Sequence, residues 1–370
     1  MGGATLDLVA RPSDLVYFEA AQDALNFHGR LRKQTDADDV TVHLNDLVGV
    51  TAGQLRGALR DAAQYWGEYD RWVTVADTDR LDFDEDYVLR KPYEFRLGTE
   101  GASTMTVRLW TREYESLTLA ALRRLLKPLL TRHSFELQRL EEDENGSSEP
   151  PYASIAWFTF QPVRRSMSSV VEGAEDISAL LEAFETGDLT RTSARDLLLA
   201  GHAQSLVGQV ESDWLEVKTT HYDLDTLGGK VDLASAVARF ANSPGGGLVV
   251  IGARTKRNVA GERIAAITPT RRDAKNPRRY RHILEEHLYP PIEQLRIDAV
   301  KHEAGELLVV DVPPQPEESK PFLVHGAIVG ARGEGRFISI VRRSEDESIH
   351  TTAAMIHSTI AAGRALLRGK

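Results

Sequence analysis

Apolar residues recur three to four positions apart between Thr51 and Trp66, which predicts a helix with Thr51 as its N-cap. Leu117 to Leu130 repeats that spacing with basic residues interleaved and predicts a second helix. Ser103–Trp110 and Tyr152–Phe160 are rich in β-branched and aromatic residues, the composition of strands. The stretch from Glu141 to Pro151 is acidic and marked by Gly, Ser and Pro, so an exposed loop is expected there. A second loop is expected from Pro162 to about Glu172, followed by short helical patterns at Asp176–Phe184 and Ser193–Ala200.

Beyond Glu211 the pattern tightens. Trp214-Leu-Glu-Val-Lys218 alternates, so Glu216 and Lys218 share one face of a strand and Leu215 and Val217 the other. A helix is expected over Leu227–Phe240, stopped at Asn242 by a turn containing Gly245, Gly246 and Gly247. Leu248–Ile251 then reads as a short buried strand ending at Gly252, with the turn returning the chain beside the first strand. Pro290-Pro291 is expected to lead into a strand at Leu295–Asp298.

Charge divides the chain. The 370 residues carry a net charge of −10, which at face value argues against binding phosphates. Residues 1–200 account for −12 of it, whereas residues 201–370 carry +2. Within Arg254–Arg281 ten basic residues face two acidic ones, a net of +8. Such asymmetry is itself a domain signal. We therefore expect an acidic α+β domain at 1–170, a connection at 171–189 and a second domain at 190–370. Zero cysteines exclude a disulfide framework, a Cys-ligated metal and a thiol nucleophile. Met1–Asp14 lacks a basic region followed by an apolar stretch, and apolar runs such as Gly247–Gly252 are far short of a membrane span. A cytoplasmic protein with no membrane partner is the expectation.

Taken in order, five pieces resemble the Schlafen AlbA family. They are Glu211 five residues before Glu216-Val-Lys218, the helix end Arg239-Phe-Ala-Asn242 where the family pattern reads Ala-Phe-Ala-Asn, the turn at Gly245–Gly247, and Ile251-Gly252. The lead-in Asp196–Gly201 and Ser319-Lys-Pro-Phe322 also resemble the family, as do Phe337–Arg342 and the expected terminal helix over Ser348–Ile360. The likeness covers about residues 190–362. It implies an α+β domain with a twisted mixed sheet and flanking helices. It also implies nucleic-acid binding, to DNA or RNA, in a regulatory or defence-related protein of the bacterial Schlafen-like type, with homodimerisation as a family habit.

In the family's ribonucleases three carboxylates hold metal and cleave RNA, tRNA included. The resemblance carries two of them to Glu211 and Glu216, beside Lys218, with Mg²⁺ or Mn²⁺ as the implied cofactor. Clustered hard oxygen ligands are what such ions need to activate water. The third acid normally follows the Ile-Gly strand, where this chain reads Gly252-Ala-Arg-Thr-Lys-Arg257 without a carboxylate. An acid from elsewhere, such as Asp232, Glu262 or one from a second subunit, would have to complete the set. For Glu216 and Lys218 the plain alternative is a strand-face salt bridge.

The basic segment supplies the other candidates: Arg254, Lys256, Arg257, Arg271, Arg272, Lys275, Arg278, Arg279 and Arg281, with Lys218 and Arg342 added. Arginine predominates, which suits bidentate phosphate contacts. The segment reads as turn and loop, with Asn276-Pro277 breaking any helix. Tyr280 is free to stack on a base or to join the core. Other chemistry is weakly signalled. Gly245–Gly247 has no following Lys for a phosphate loop, and Gly330–Gly335 matches a dinucleotide fingerprint only loosely. The pairs His282/His287 and His350/His357 lack zinc spacing, and the acidic run Asp79–Asp86 lacks a calcium loop's glycine. Nucleic-acid binding through the basic segment is the leading expectation. A metal-dependent ribonuclease is the alternative, and a protein-interaction module with a partner for the acidic domain is a third reading.

Overall fold

The structure is a computed structural model. It describes residues 15–36, 39–67, 72–76, 90–97, 103–110, 118–142, 152–258, 261–273, 275–330, 333–344, 347–350, 352 and 355–358. The acidic run Asp79–Asp86 and most of the expected loop after Glu142 lie outside these residues. The chain divides into two compact units, Met1–Asp188 and Leu189–Lys370, and the fold class is α+β.

In the first unit, strands β1 (Val16–Glu19), β2 (Ala24–Phe27) and β3 (Arg30–Arg32) form a small antiparallel sheet. Helix α1 (Ala52–Trp66) packs against β1 and β2 and starts where expected. Thr51 accepts the Gln54 N–H, and the Gln54 side chain accepts the Thr51 N–H in return. A seven-stranded sheet follows, in the order β4 (Gln34–Asp36), β5 (Asp39–Val42), β6 (Trp72–Ala76), β7 (Arg90–Arg96), β8 (Ser103–Trp110), β10 (Tyr152–Phe160), β9 (Glu136–Glu142). Helix α2 (Leu119–His133) packs on β9, and α3 (Met167–Thr186) on α2 and β8.

The stretch Pro162–Glu172 departs from its expected loop. Ser166 caps the Ser169 N–H and starts a 20-residue helix that absorbs most of the expected connection at 171–189. Apolar Val170, Val171, Ala174, Ile177 and Leu181 give that helix its buried stripe.

The second unit opens with α4 (Arg191–Leu199), then β11 (Leu215–Lys218), α5 (Leu227–Ala241) and β12 (Gly247–Ile251). β11 and β12 pair in parallel, with Glu216 opposite Val249, as expected of strands joined through a helix. The sheet continues antiparallel through β17 (Gly305–Val312) to β16 (Arg296–His302). Strands β13 (Ala253–Asn258) and β14 (Gly261–Ile267) form a hairpin, and α6 (Asn276–His287) follows. A second antiparallel sheet runs β15 (Leu288–Tyr289), β18 (Leu323–Gly330), β19 (Gly333–Ser344), β20 (Glu347–His350).

α5 lies between the two sheets. Its Leu233, Ala234, Val237, Phe240 and Ala241 share one buried cluster with Val249, Ile251, Val310, Phe322, Val324 and Val341. Its glycine turn is tightly specified. Gly246 has a φ of +70°, and a Cβ there would sit 2.2 Å from the Val312 carbonyl oxygen.

Two expectations are corrected here. Asn276-Pro277 opens α6 instead of breaking it, because proline is tolerated in the first turn, where its missing N–H has no intrahelical partner. The basic segment is accordingly a hairpin, a loop and a helix start. Ser348 belongs to β20, and of the expected terminal helix only 355–358 are helical among the described residues. Of Gly330–Gly335, only a loose match to a dinucleotide fingerprint, Gly330 ends β18 and Gly333–Gly335 begin β19.

Candidate nucleic-acid interface

The two parallel strands β11 and β12 end together at Lys218 and Ile251. Just past that end the chain is tied in two steps: Gly252 N–H donates to the Lys218 carbonyl at 2.8 Å, and Thr268 N–H donates to the Gly252 carbonyl at 2.7 Å. Gly252 makes this possible with a φ of +106°. Lys218, the hairpin and the loop leading to α6 therefore leave one end of the sheet, where open sheets commonly hold ligands.

Glu216 and Lys218 do share a strand face, with Lys218 Nζ 3.1 Å from Glu216 Oε1. The sequence pattern missed the stronger partner. Arg239, buried in the last turn of α5, forms an ion pair with Glu216 Oε2, and the Tyr222 hydroxyl lies 3.4 Å from Oε1. A lone cation inside the apolar run Val237–Ala241 was the available signal, since a buried charge calls for a partner.

Glu211 stands apart from that pair. Its Oε1 accepts the Val217 N–H at 2.7 Å, and its own N–H donates to the Glu262 carbonyl at 2.9 Å. Residues 208–211 thus run along β14, which brings the Glu262 carboxyl beside Glu211. Burial, and then the Glu262 charge, push the Glu211 carboxyl above its ordinary range, while Val217 N–H and Lys218 pull it down. Tyr222 is held far above the ordinary phenol range by burial, reinforced by Tyr280, Asp232 and Glu211.

A divalent ion needs several oxygen ligands with charge to spare. Here Glu216 is already matched by Arg239 and Lys218, which leaves only the Glu211 and Glu262 carboxyls, one of them held by the Val217 N–H. Among the described residues no group of three acidic or histidine side chains is arranged to hold a metal. The residues present do not fit the Mg²⁺ or Mn²⁺ that the resemblance implies.

The basic candidates divide by partner. Arg272 is used internally, with Nε donating to Gly305 O at 2.9 Å and a second nitrogen to His302 O at 2.6 Å. Arg279 pairs with Asp225 at 2.5 Å, and Arg281 donates to Leu295 O at 3.2 Å. Arg254, Lys256, Arg257, Arg271, Lys275 and Arg278 are exposed and have no acidic partner among the described residues. On the hairpin, Lys256 lies opposite Arg263, and Arg257 opposite Glu262. Arg342 lies on β19, with its side chain outside the described residues.

Tyr280 is core, not platform. It is fully buried, and its hydroxyl accepts the Tyr222 N–H at 3.2 Å while meeting His221 Nδ1 at 3.0 Å. Burial pushes its phenol up to about 12. Asn242 does more than stop a helix. Its amide donates to Phe322 O and Val341 O, both at 3.0 Å, and its Oδ1 accepts the Phe322 N–H at 2.7 Å.

Comparison with known proteins places residues 211–345 in a match to the family model described as Schlafen, AlbA_2. No curated protein matches the chain. Among solved structures, the chain is similar to the N-terminal domain of a RecG-related protein from Nitrosomonas europaea, named for the ATP-dependent DNA helicase. Identity is 22%, covering 38% of this chain and 84% of that one, with a TM-score of 0.27. It is also similar to the DIP2311 protein from Corynebacterium diphtheriae at 17% identity, covering 42% of this chain and 31% of that one, with a TM-score of 0.25. No helix among the described residues is long and apolar enough to cross a membrane.

Proposed function

We propose that the Schlafen AlbA-like domain of this chain binds DNA or RNA through its phosphates, using the exposed cations that leave the β11–β12 end of the sheet. The observation that carries this reading is the set Arg254, Lys256, Arg257, Arg271, Lys275 and Arg278, exposed and without acidic partners among the described residues. Arg279, by contrast, is paired with Asp225. Six unmatched cations within one segment instead create a field suited to a polyanion. Lys218, 45% exposed at the strand end, extends the patch towards the sheet.

The ribonuclease reading finds one supporting observation, the approach of Glu262 to Glu211. The pairing of Glu216 with Arg239 and Lys218 weighs more heavily against it. The test is titration of single- and double-stranded DNA and RNA across a salt series, comparing the wild type with Arg254→Ala/Lys256→Ala/Arg257→Ala. Each lost phosphate contact should flatten the salt slope by about one unit. An unchanged affinity and slope would sink the proposal.

A further inference from the structure

We infer that the carboxylate site beside β11 is neutralised from within the chain, with the Arg239 guanidinium standing where a divalent cation would otherwise sit. In consequence the domain meets phosphates without a metal, a clause that rests on the nucleic-acid-binding reading.

The charges close on themselves. Glu216 is 7% exposed and Arg239 8%, so each would be costly to bury alone. Glu216 takes Arg239 on one oxygen, and Lys218 with the Tyr222 hydroxyl on the other. Glu216, one carboxylate between two cations, thus keeps no net negative charge to attract a further ion, and Glu211 with Glu262 alone supplies too few ligands for one.

Arg239 is also held in place. It belongs to the last turn of α5, its guanidinium lies 5.2 Å from the Phe240 ring centroid, and Ala238, Phe240 and Ala241 around it are buried. A guanidinium stays charged at every pH the fold survives, so this neutralisation is permanent, unlike that of an exchangeable ion. The residue occupies the position where the family pattern has alanine, a side chain that leaves the space and the charge open.

The test uses the full chain, with Mn²⁺ as probe, followed by electron paramagnetic resonance and calorimetry. Wild type and Arg239→Lys should take up no stoichiometric Mn²⁺. Arg239→Met should bind one Mn²⁺ at least roughly tenfold more tightly than wild type, and adding Glu216→Gln to that variant should abolish the gain. Circular dichroism confirms that each variant is folded. The inference is overturned if wild type binds one Mn²⁺ that Glu216→Gln removes, or if folded Arg239→Met gains nothing. If Arg239→Met does not fold, wild type and Arg239→Lys decide: stoichiometric Mn²⁺ on either overturns it, and none on both supports it. Oligonucleotide binding in EDTA and in Mg²⁺ is measured in parallel. Equal binding supports the inference, and a requirement for Mg²⁺ overturns it. No binding in either condition instead removes the nucleic-acid reading, leaving the Mn²⁺ titration to decide the metal site.

Discussion

Three neighbouring glycines look alike in the sequence, yet the structure asks different things of them. Gly245 has open space where a Cβ would go, whereas Gly246 has positive φ and a backbone oxygen in the way. Gly246→Ala should therefore cost roughly 2–4 kcal/mol from left-handed strain and displacement of the β17 end. Gly245→Ala should shift stability by only about 0.5 kcal/mol or slightly improve it. Urea denaturation of the two variants checks the contrast. Asn242→Ala should cost about 3 kcal/mol, because it strands the Phe322 N–H and two carbonyls of fully buried residues. Asn242→Asp, which keeps the acceptor and loses the donors, should fall between.

At the scale of elements, a hydrogen-bond chain joins the β11–α5 loop to α6 and β17. The Tyr222 N–H donates to the Tyr280 hydroxyl, and the Thr270 hydroxyl donates to the Glu306 carbonyl. Between them, His221 meets the Tyr280 hydroxyl through Nδ1 and Thr270 Oγ1 through Nε2, both at 3.0 Å, with the Asn276 amide nitrogen 3.3 Å from Nε2. Burial holds His221 below its ordinary value of 6.5 against the pull of Glu306 and Asp273. The unfolded chain then binds the proton more readily, so stability rises with pH in this window. The contribution is complete above about pH 6.5 and is lost as pH falls through the lower folded value. Urea unfolding at about pH 7.5 and about pH 5.5 should show the loss, and His221→Gln should flatten that part of the curve.

Much of this unit was legible because β11, α5 and β12 are consecutive, and their patterns of two and of three to four residues are local. The pairing of Arg239 was not, since the apolar run around it calls for a partner without saying which, and that partner lies on another element. The internal roles of Arg272 and Arg281 were equally hidden, because their acceptors are backbone carbonyls, which every residue has. Asn276-Pro277 misled because the same dipeptide ends one helix and begins another.

For the molecule as a whole, the family match begins at Glu211 but the compact unit begins at Leu189. The difference is α4, which is bound to the sheet by charge. Arg191 pairs with Asp311, and Arg195 reaches Asp311 at 3.3 Å, Asp298 at 2.9 Å and Asp196 at 3.4 Å. Asp311 is 3% exposed on β17, so removing both arginines leaves a buried carboxylate uncompensated. A fragment starting at Glu211 should be about 3–5 kcal/mol less stable than one starting at Leu189, or fail to fold. Thermal melts of the two fragments would decide. The net charge of −10 belongs to this scale too: it averages an acidic first part and a basic patch in the second, and describes neither.

The Asn242 clamp has a consequence for motion. It joins the end of α5 to β19 and to the chain entering β18, within one buried cluster. The Phe322 amide proton is donated to a side chain instead of a ladder, yet it sits on a residue with no exposed surface. Local fraying of β18 or β19 would not release it. Its exchange with deuterated solvent should therefore track opening of the whole unit, making one amide a reporter of global stability.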